Sequence, residues 1–174
     1  RGEAFVNYYI LNLLRIANDF IVFKYVNSVV ESDEIFNGFF KYFDFEKYII
    51  NLQRINSPYY AITAVFYYGL QSKMYDPDGK YREALKKTVF ENLDKMKYQD
   101  QASCWTMLFG AYIFSNTPPS FNPSNEIHGI NKYFVSKDIL TRDELGYIME
   151  NNYHNIAFQA INAGDYDWAE NFLN

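Results

Sequence analysis

The chain has few side chains suited to nucleophilic or metal-assisted catalysis. Two histidines, His128 and His154, and a single cysteine, Cys104, are its whole supply of such groups. A thiol–imidazole pair is possible chemistry for them, but no catalytic motif surrounds Cys104, and a free cysteine in a helical segment is usually a buried core residue. One cysteine also excludes an intrachain disulfide and a zinc site with several cysteine ligands. We therefore expect a non-enzymatic protein without a cofactor or metal.

Acidic residues cluster in patterns that resemble ligand sites and are better explained as helix caps. Asp76-Pro77-Asp78-Gly79 has the character of a calcium loop. An EF-hand needs glutamate at position 12, and the two possible registers place Leu85 or Lys87 there. We therefore expect a turn followed by a helix cap. The pair Asp165 and Asp167 likewise begins a predicted helix, where carboxylates complement the helix dipole.

Composition restricts the class of partner. Among 174 residues, 49% are hydrophobic, 20% are aromatic and the net charge is −5. The acidic balance argues against nucleic-acid binding. The aromatic side chains indicate packing between helices, with an aromatic-lined binding surface as the alternative. The lack of disulfide chemistry fits a reducing compartment, so we expect a cytoplasmic protein.

The apolar stretch Phe5–Val26 is not expected to span a membrane. Polar residues interrupt it too often for a lipid-facing helix. The spacing of Asn12, Arg15, Asn18 and Asp19 predicts instead a helix that is buried on most sides and has one polar stripe.

Hydrophobic periodicity predicts an all-α protein of about eight helices. The expected ranges are 3–31, 34–54, 58–75, 79–96, 99–115, 123–136, 141–163 and 166 to the end. Thr141 and Glu144 have the spacing of a capping box, which supports a helix start at 141. The helices pair into hairpins at 58–96, 99–136 and 141–174, whose first helices begin 41 and 42 residues apart. Such a regular step indicates a repeat array.

These hairpins resemble the tetratricopeptide repeat in the types of residue at particular positions. The last hairpin carries the pattern of large, small and turn residues best, through Tyr153, Ile156, Ala157, Gly164, Tyr166 and Ala169. Weaker copies are Trp105, Leu108 and Tyr112, and Gly79, Tyr81 and Ala84. The final segment is also similar to uncharacterised bacterial helical-repeat proteins. The resemblance covers residues 58–174 and implies a right-handed stack of antiparallel hairpins, an α-solenoid. We expect a single domain over 1–174 that is a fragment of a longer array.

The resemblance also implies where a partner would bind. First helices of successive hairpins would line a concave groove, and the matching positions are Ser103, Thr106, Ile113, Asn151, His154, Phe158 and Asn162. The implied function is a non-catalytic scaffold that binds a protein or peptide. Two alternatives remain. One is a small-molecule or carbohydrate-binding, or enzymatic, domain with an aromatic-lined cleft. The other is a purely structural segment whose partner is the rest of its own longer chain.

Overall fold

The chain is mainly helical in the part that the computed structural model describes, namely residues 2–27, 42–74, 76–114, 122–140, 142 and 144–174. These ranges contain eight α-helices, one 3₁₀ turn and no strand, apart from an isolated β-bridge between Arg142 and Ile148. The helices are α1 (Gly2–Val26), α2 (Phe45–Arg54), α3 (Tyr60–Met74), α4 (Lys80–Asn92), α5 (Tyr98–Ile113), α6 (Ser124–Ser136), α7 (Glu150–Asn162) and α8 (Tyr166–Leu173). The all-α class is confirmed.

Helix α3 lies at the centre of the core, because α1, α2, α4 and α5 all pack against it. Its residues 62–67 are buried without interruption, which requires neighbours on every side of the helix. Val65 and Leu70 have no exposed surface. Burying one such side chain contributes about 1.5–3 kcal/mol, so α3 supplies a large share of the hydrophobic stabilisation.

Short polar caps fix where several helices begin. The Asp44 side chain accepts a hydrogen bond from the Lys47 amide at the start of α2. The buried Asp76 carboxylate accepts from the amides of Tyr81 and Arg82 at the start of α4. Gly79 has φ +71° in the same turn, a conformation that favours glycine. The predicted turn and cap are therefore confirmed.

The helix predicted at 141 begins instead at Glu150. Arg142 bridges Ile148 and donates to the Gly146 carbonyl, and Gly146 has φ +85°. A residue at positive φ cannot continue a helix, so the chain turns before α7. The predicted capping residue Thr141 lies outside the described residues, as do residues 34–41 of the second predicted helix.

The predicted regular step between hairpins is wrong for the same reason. The first helices of the three hairpins begin at residues 60, 98 and 150, which gives steps of 38 and 52 residues. A second boundary also differs, because the chain is not helical at 43–44 and α2 begins only at Phe45. The Asp44 cap explains this start.

Two contacts between neighbouring hairpins show how α4 and α6 are oriented relative to each other. The Lys86 amine lies 2.6 Å from the Glu126 carboxylate, and the rings of Phe90 and Tyr133 are 4.7 Å apart. Both contacts join α4 to α6. Because residue numbers rise together on the two helices, α4 and α6 run in the same direction.

Helix α1 contacts both α3 and α5. Besides its packing on α3, the Arg15 guanidinium lies 3.3 Å from the Asp100 carboxylate, and the rings of Tyr25 and Phe114 are 5.0 Å apart. The prediction that α1 is buried on most sides is wrong, since Phe5 is 63% exposed and several other apolar side chains are also exposed. Its polar stripe is also interrupted, because Asn18 is fully buried.

Candidate functional site

A lysine is buried near the C-terminal end of α3. Lys73 is only 5% exposed, and its ammonium donates to the Asn18 side-chain oxygen at 2.8 Å. The Met107 sulfur, a weak acceptor, lies 3.8 Å away. Within the described ranges, no carboxylate lies within ion-pair distance of this amine. Buried lysines are normally paired, so this one is unusual.

The environment of Lys73 disfavours its charged form. Burial lowers the pKa of Lys73 to about 8, and the charge of Asp19 opposes this shift only in part. Removing an ammonium from water penalises the charged form, and a nearby carboxylate compensates for that penalty. The low pKa therefore reflects an ammonium that lacks a sufficient counter-charge.

Among the described residues, the Asn18 side-chain oxygen is the one strong acceptor for Lys73, and the other hydrogen bonds of Asn18 fix its position. Its amide nitrogen donates to the carbonyl oxygens of Leu14 and Phe66, at 2.8 and 2.9 Å. These two bonds tie α1 to α3 and direct the remaining oxygen of Asn18 towards the lysine. The pair Asn18–Lys73 is thus a buried polar link inside an apolar core.

Two glycines make room for this arrangement. A β-carbon added at Gly110 would lie 3.1 Å from Lys73 Cε, and one added at Gly69 would lie 3.2 Å from the Met107 sulfur. Both distances are shorter than ordinary contacts between carbon atoms and their neighbours. The lysine stem therefore lies close to the backbone of α5, in space that a larger residue would fill.

An apolar pocket of about 390 Å³ opens beside Lys73. It lies between α1, α3 and α5, and its apolar walls are formed by Val22, Phe23, Val26, Met107, Phe109 and Phe114. This volume is within the range of about 300–1,000 Å³ that is typical of ligand sites. The combination of apolar walls with one buried polar group is the usual composition of a small-molecule site.

A larger cleft of about 840 Å³ lies at the opposite end of α3. Its charged lining includes Glu91, Lys95 and Lys97, which are exposed and of both signs. Among the described residues that line it, no ionisable side chain is buried. Exposed charges of mixed sign are ordinary helix surface, so the Lys73 pocket is the stronger candidate.

The residues predicted to form a groove fall into two sets. On α5, Ser103 and Thr106 share a shallow pocket with Arg142, and Thr106 also lines the Lys73 pocket. Ile113 is half-buried against the core. On α7, four residues are exposed: Asn151, His154, Phe158 and Asn162. In the part of the chain that the structure describes, no hydrogen bond, ion pair or ring contact joins the two sets.

Cys104 is a core residue. It has no exposed surface, and burial raises the pKa of its thiol to about 12. Its sulfur lies 3.4 Å from the Met96 sulfur. The thiolate is the reactive form of cysteine, so this environment suppresses nucleophilic chemistry and agrees with the predicted structural role.

A polar cluster that the sequence did not indicate joins α6 to the start of α8. The Asp165 carboxylate caps α8, accepts from the Lys132 amine at 3.0 Å and lies 2.9 Å from His128 Nε2. The rings of His128 and Trp168 are 5.0 Å apart. The sequence predicted only the cap, because the lysine and histidine lie more than 30 residues away along the chain.

Acid is expected to release this cluster. Hydrogen bonds from His128 and Lys132, and from the Trp168 amide, lower the pKa of Asp165 to about 2. A lowered pKa means that the contribution to stability is complete above about pH 4 and is lost as the pH falls towards 2. The backbone amide shift of Trp168, followed by NMR, should titrate with a midpoint near 2. Asp165→Asn should show no such step, and a wild-type midpoint near 4 would contradict the geometry.

The chain matches no protein-family model, and no curated protein or solved structure shows significant similarity to it. In the described ranges, none of the helices combines the length and apolar character needed to cross a membrane. The same residues contain no cluster of three potential metal ligands.

Proposed function

We propose that this chain is a non-catalytic interaction domain and that α7 presents the residues that bind a protein or peptide partner. The single observation that supports this most is Phe158, a large aromatic side chain that is 58% exposed in the middle of a well-formed helix. The net charge of −5 favours a protein partner over a nucleic acid. With Cys104 as the only thiol, a reducing compartment such as the cytoplasm suits the domain.

The two faces of α7 have opposite roles. One face buries Ile156, Ala157, Gln159 and Ala160 where α7 packs against α6 and α8. The other carries residues 151, 154, 158 and 162, which follow helical spacing and are all exposed. An apolar anchor surrounded by polar side chains is the usual composition of a protein interface with a small energetic centre.

We also propose that the hairpins stack as in tetratricopeptide repeats. Two observations support the stack: α5 packs against both α3 and α4, and α4 and α6 run in the same direction. The uneven steps argue for a modified repeat, in which the described residues 142 and 144–149 add a turn before the last hairpin.

A structural role within a longer chain is the second candidate function. It is favoured by the exposed apolar side chains of α1, among them Phe5, Tyr8 and Ile16. Exposed apolar groups on one element are typical of a surface that packs against another part of a protein. This candidate predicts that the isolated domain self-associates, whereas the interaction domain does not require it.

A pull-down from native cell extract, read by mass spectrometry, tests the proposed interface. The wild-type chain would be compared with Asn151→Ala/His154→Ala/Phe158→Ala, after circular dichroism has shown equal helix content. We expect a partner that wild type retains and the triple variant loses by at least tenfold, because truncation of an aromatic hot spot costs about 2 kcal/mol or more and a factor of ten corresponds to about 1.4 kcal/mol.

The matched control is Lys87→Ala/Glu91→Ala, an exposed pair on α4. This variant should retain the same partner as wild type. A partner held equally by all three proteins would place the interface elsewhere and overturn the role of α7. No partner for wild type would favour the structural role instead.

A further inference from the structure

We propose that the pocket between α1, α3 and α5 binds a small monocarboxylate with an apolar body, whose carboxylate pairs with Lys73. This site is separate from the proposed interface on α7. The pocket has three features that would recognise such a ligand: the buried cation of Lys73, apolar walls and the exposed carboxylate of Asp19.

The buried ammonium provides the anion-binding group. An ammonium has three donors, and the described residues offer it one strong acceptor, Asn18, and one weak one, the Met107 sulfur. Burial of a charge without a partner is costly. A carboxylate at this position would supply both the missing acceptor and the missing counter-charge, so a ligand of this type would stabilise the site.

The walls select an apolar ligand body. Three aromatic rings, those of Phe23, Phe109 and Phe114, line the pocket together with aliphatic side chains. Aromatic surfaces contribute large buried areas at small ligand sites. The volume of about 390 Å³ is near the lower limit for ligand pockets, which favours a compact ligand.

Asp19 makes the pocket favour a ligand with a single negative charge. Among the described residues that line this pocket, it is the one carboxylate, and it is exposed. It repels every negative charge on a ligand, and the same lining residues offer a second negative group no cation besides Lys73 to offset that repulsion. The site therefore favours a monocarboxylate over a dicarboxylate or a phosphate.

The methionines provide a built-in reporter for the test. The chain has four, and Met107 lines the pocket whereas Met96 and Met149 do not. Protein labelled with ¹³C at the methionine methyls would be titrated with hexanoate, octanoate, phenylacetate and 3-phenylpropanoate, and with the neutral amide of each acid. We expect at least one acid to shift the Met107 signal, with an affinity at least tenfold above that of its amide, and to leave Met96 and Met149 unchanged.

Lys73→Met identifies the group responsible, since it keeps the length of an apolar stem and removes the charge. We expect it to lower the affinity for the acid at least tenfold and to leave the affinity for the amide unchanged. Lys87→Met, at an exposed position, should bind like wild type. Equal affinity for acid and amide, unchanged binding by Lys73→Met, or no shift of Met107 with any of the four acids would overturn the proposal.

Discussion

Replacing Phe134 with alanine is expected to lower the free energy of unfolding by about 3–5 kcal/mol. Phe134 lies in α6, has no exposed surface and is among the largest fully buried side chains in the described chain. It belongs to the same core as Leu85 of α4 and Leu108 of α5. Its truncation removes hydrophobic burial and leaves a cavity that the surrounding helices fill only in part.

Urea denaturation followed by circular dichroism would measure this loss. Phe158→Ala is the matched control, because it removes the same side chain from an exposed position and should change stability by less than about 0.5 kcal/mol. A loss of equal size in both variants would show that α7 does not expose Phe158. The control also separates stability from binding, since the same residue is central to the proposed interface.

The fold class could be predicted because helix formation depends largely on local signals. Apolar spacing identified the helices, and the caps at Asp76 and Asp165 act within a few residues of their own position. The start at 141 was wrong because a local capping pattern was present there, whereas the contacts of Arg142 with Gly146 and Ile148 and the conformation of Gly146 decide the backbone. Such contacts leave no periodic signal in a sequence.

The Lys73 pocket could not be predicted for a related reason. Lys73 and Asn18 are 55 residues apart, and no local pattern links them. In the sequence, the lysine has the position of an ordinary basic residue in the last turn of a helix, where it would complement the dipole. Asn18 has the spacing of an exposed stripe. Only the packing of α1 on α3 brings both into the core.

The groove residues could be predicted only through the resemblance. Among the members on α5, Thr106 does line a pocket, although α1 forms the opposite wall. The members on α7 are exposed together because one face of that helix is apolar and packs inward. The triple variant tests the members on α7, and the role of the members on α5 stays a prediction.

Replacing Asn18 with alanine is expected to lower the free energy of unfolding by about 2–4 kcal/mol. The substitution removes the bond from α1 to the Phe66 carbonyl, and it leaves the buried Lys73 ammonium without its strong acceptor. Urea denaturation measures the loss. Asn12→Ala is the control, since Asn12 makes the same bond to a carbonyl four residues earlier in a solvent-exposed setting. Its loss should be below about 0.5 kcal/mol.

The expected loss has two causes: the broken bond from Asn18 to Phe66, and the Lys73 ammonium left without its acceptor. A double-mutant cycle that combines Asn18→Ala with Lys73→Met separates them. If the unpaired ammonium dominates, Asn18→Ala should cost about 1–2 kcal/mol less in the Lys73→Met background, because no buried charge then remains to be satisfied. Equal losses in both backgrounds would assign the effect to the helix–helix bonds of Asn18 alone. The Lys73 ammonium would then be adequately solvated without Asn18, and a ligand carboxylate would gain no stabilisation by pairing with it.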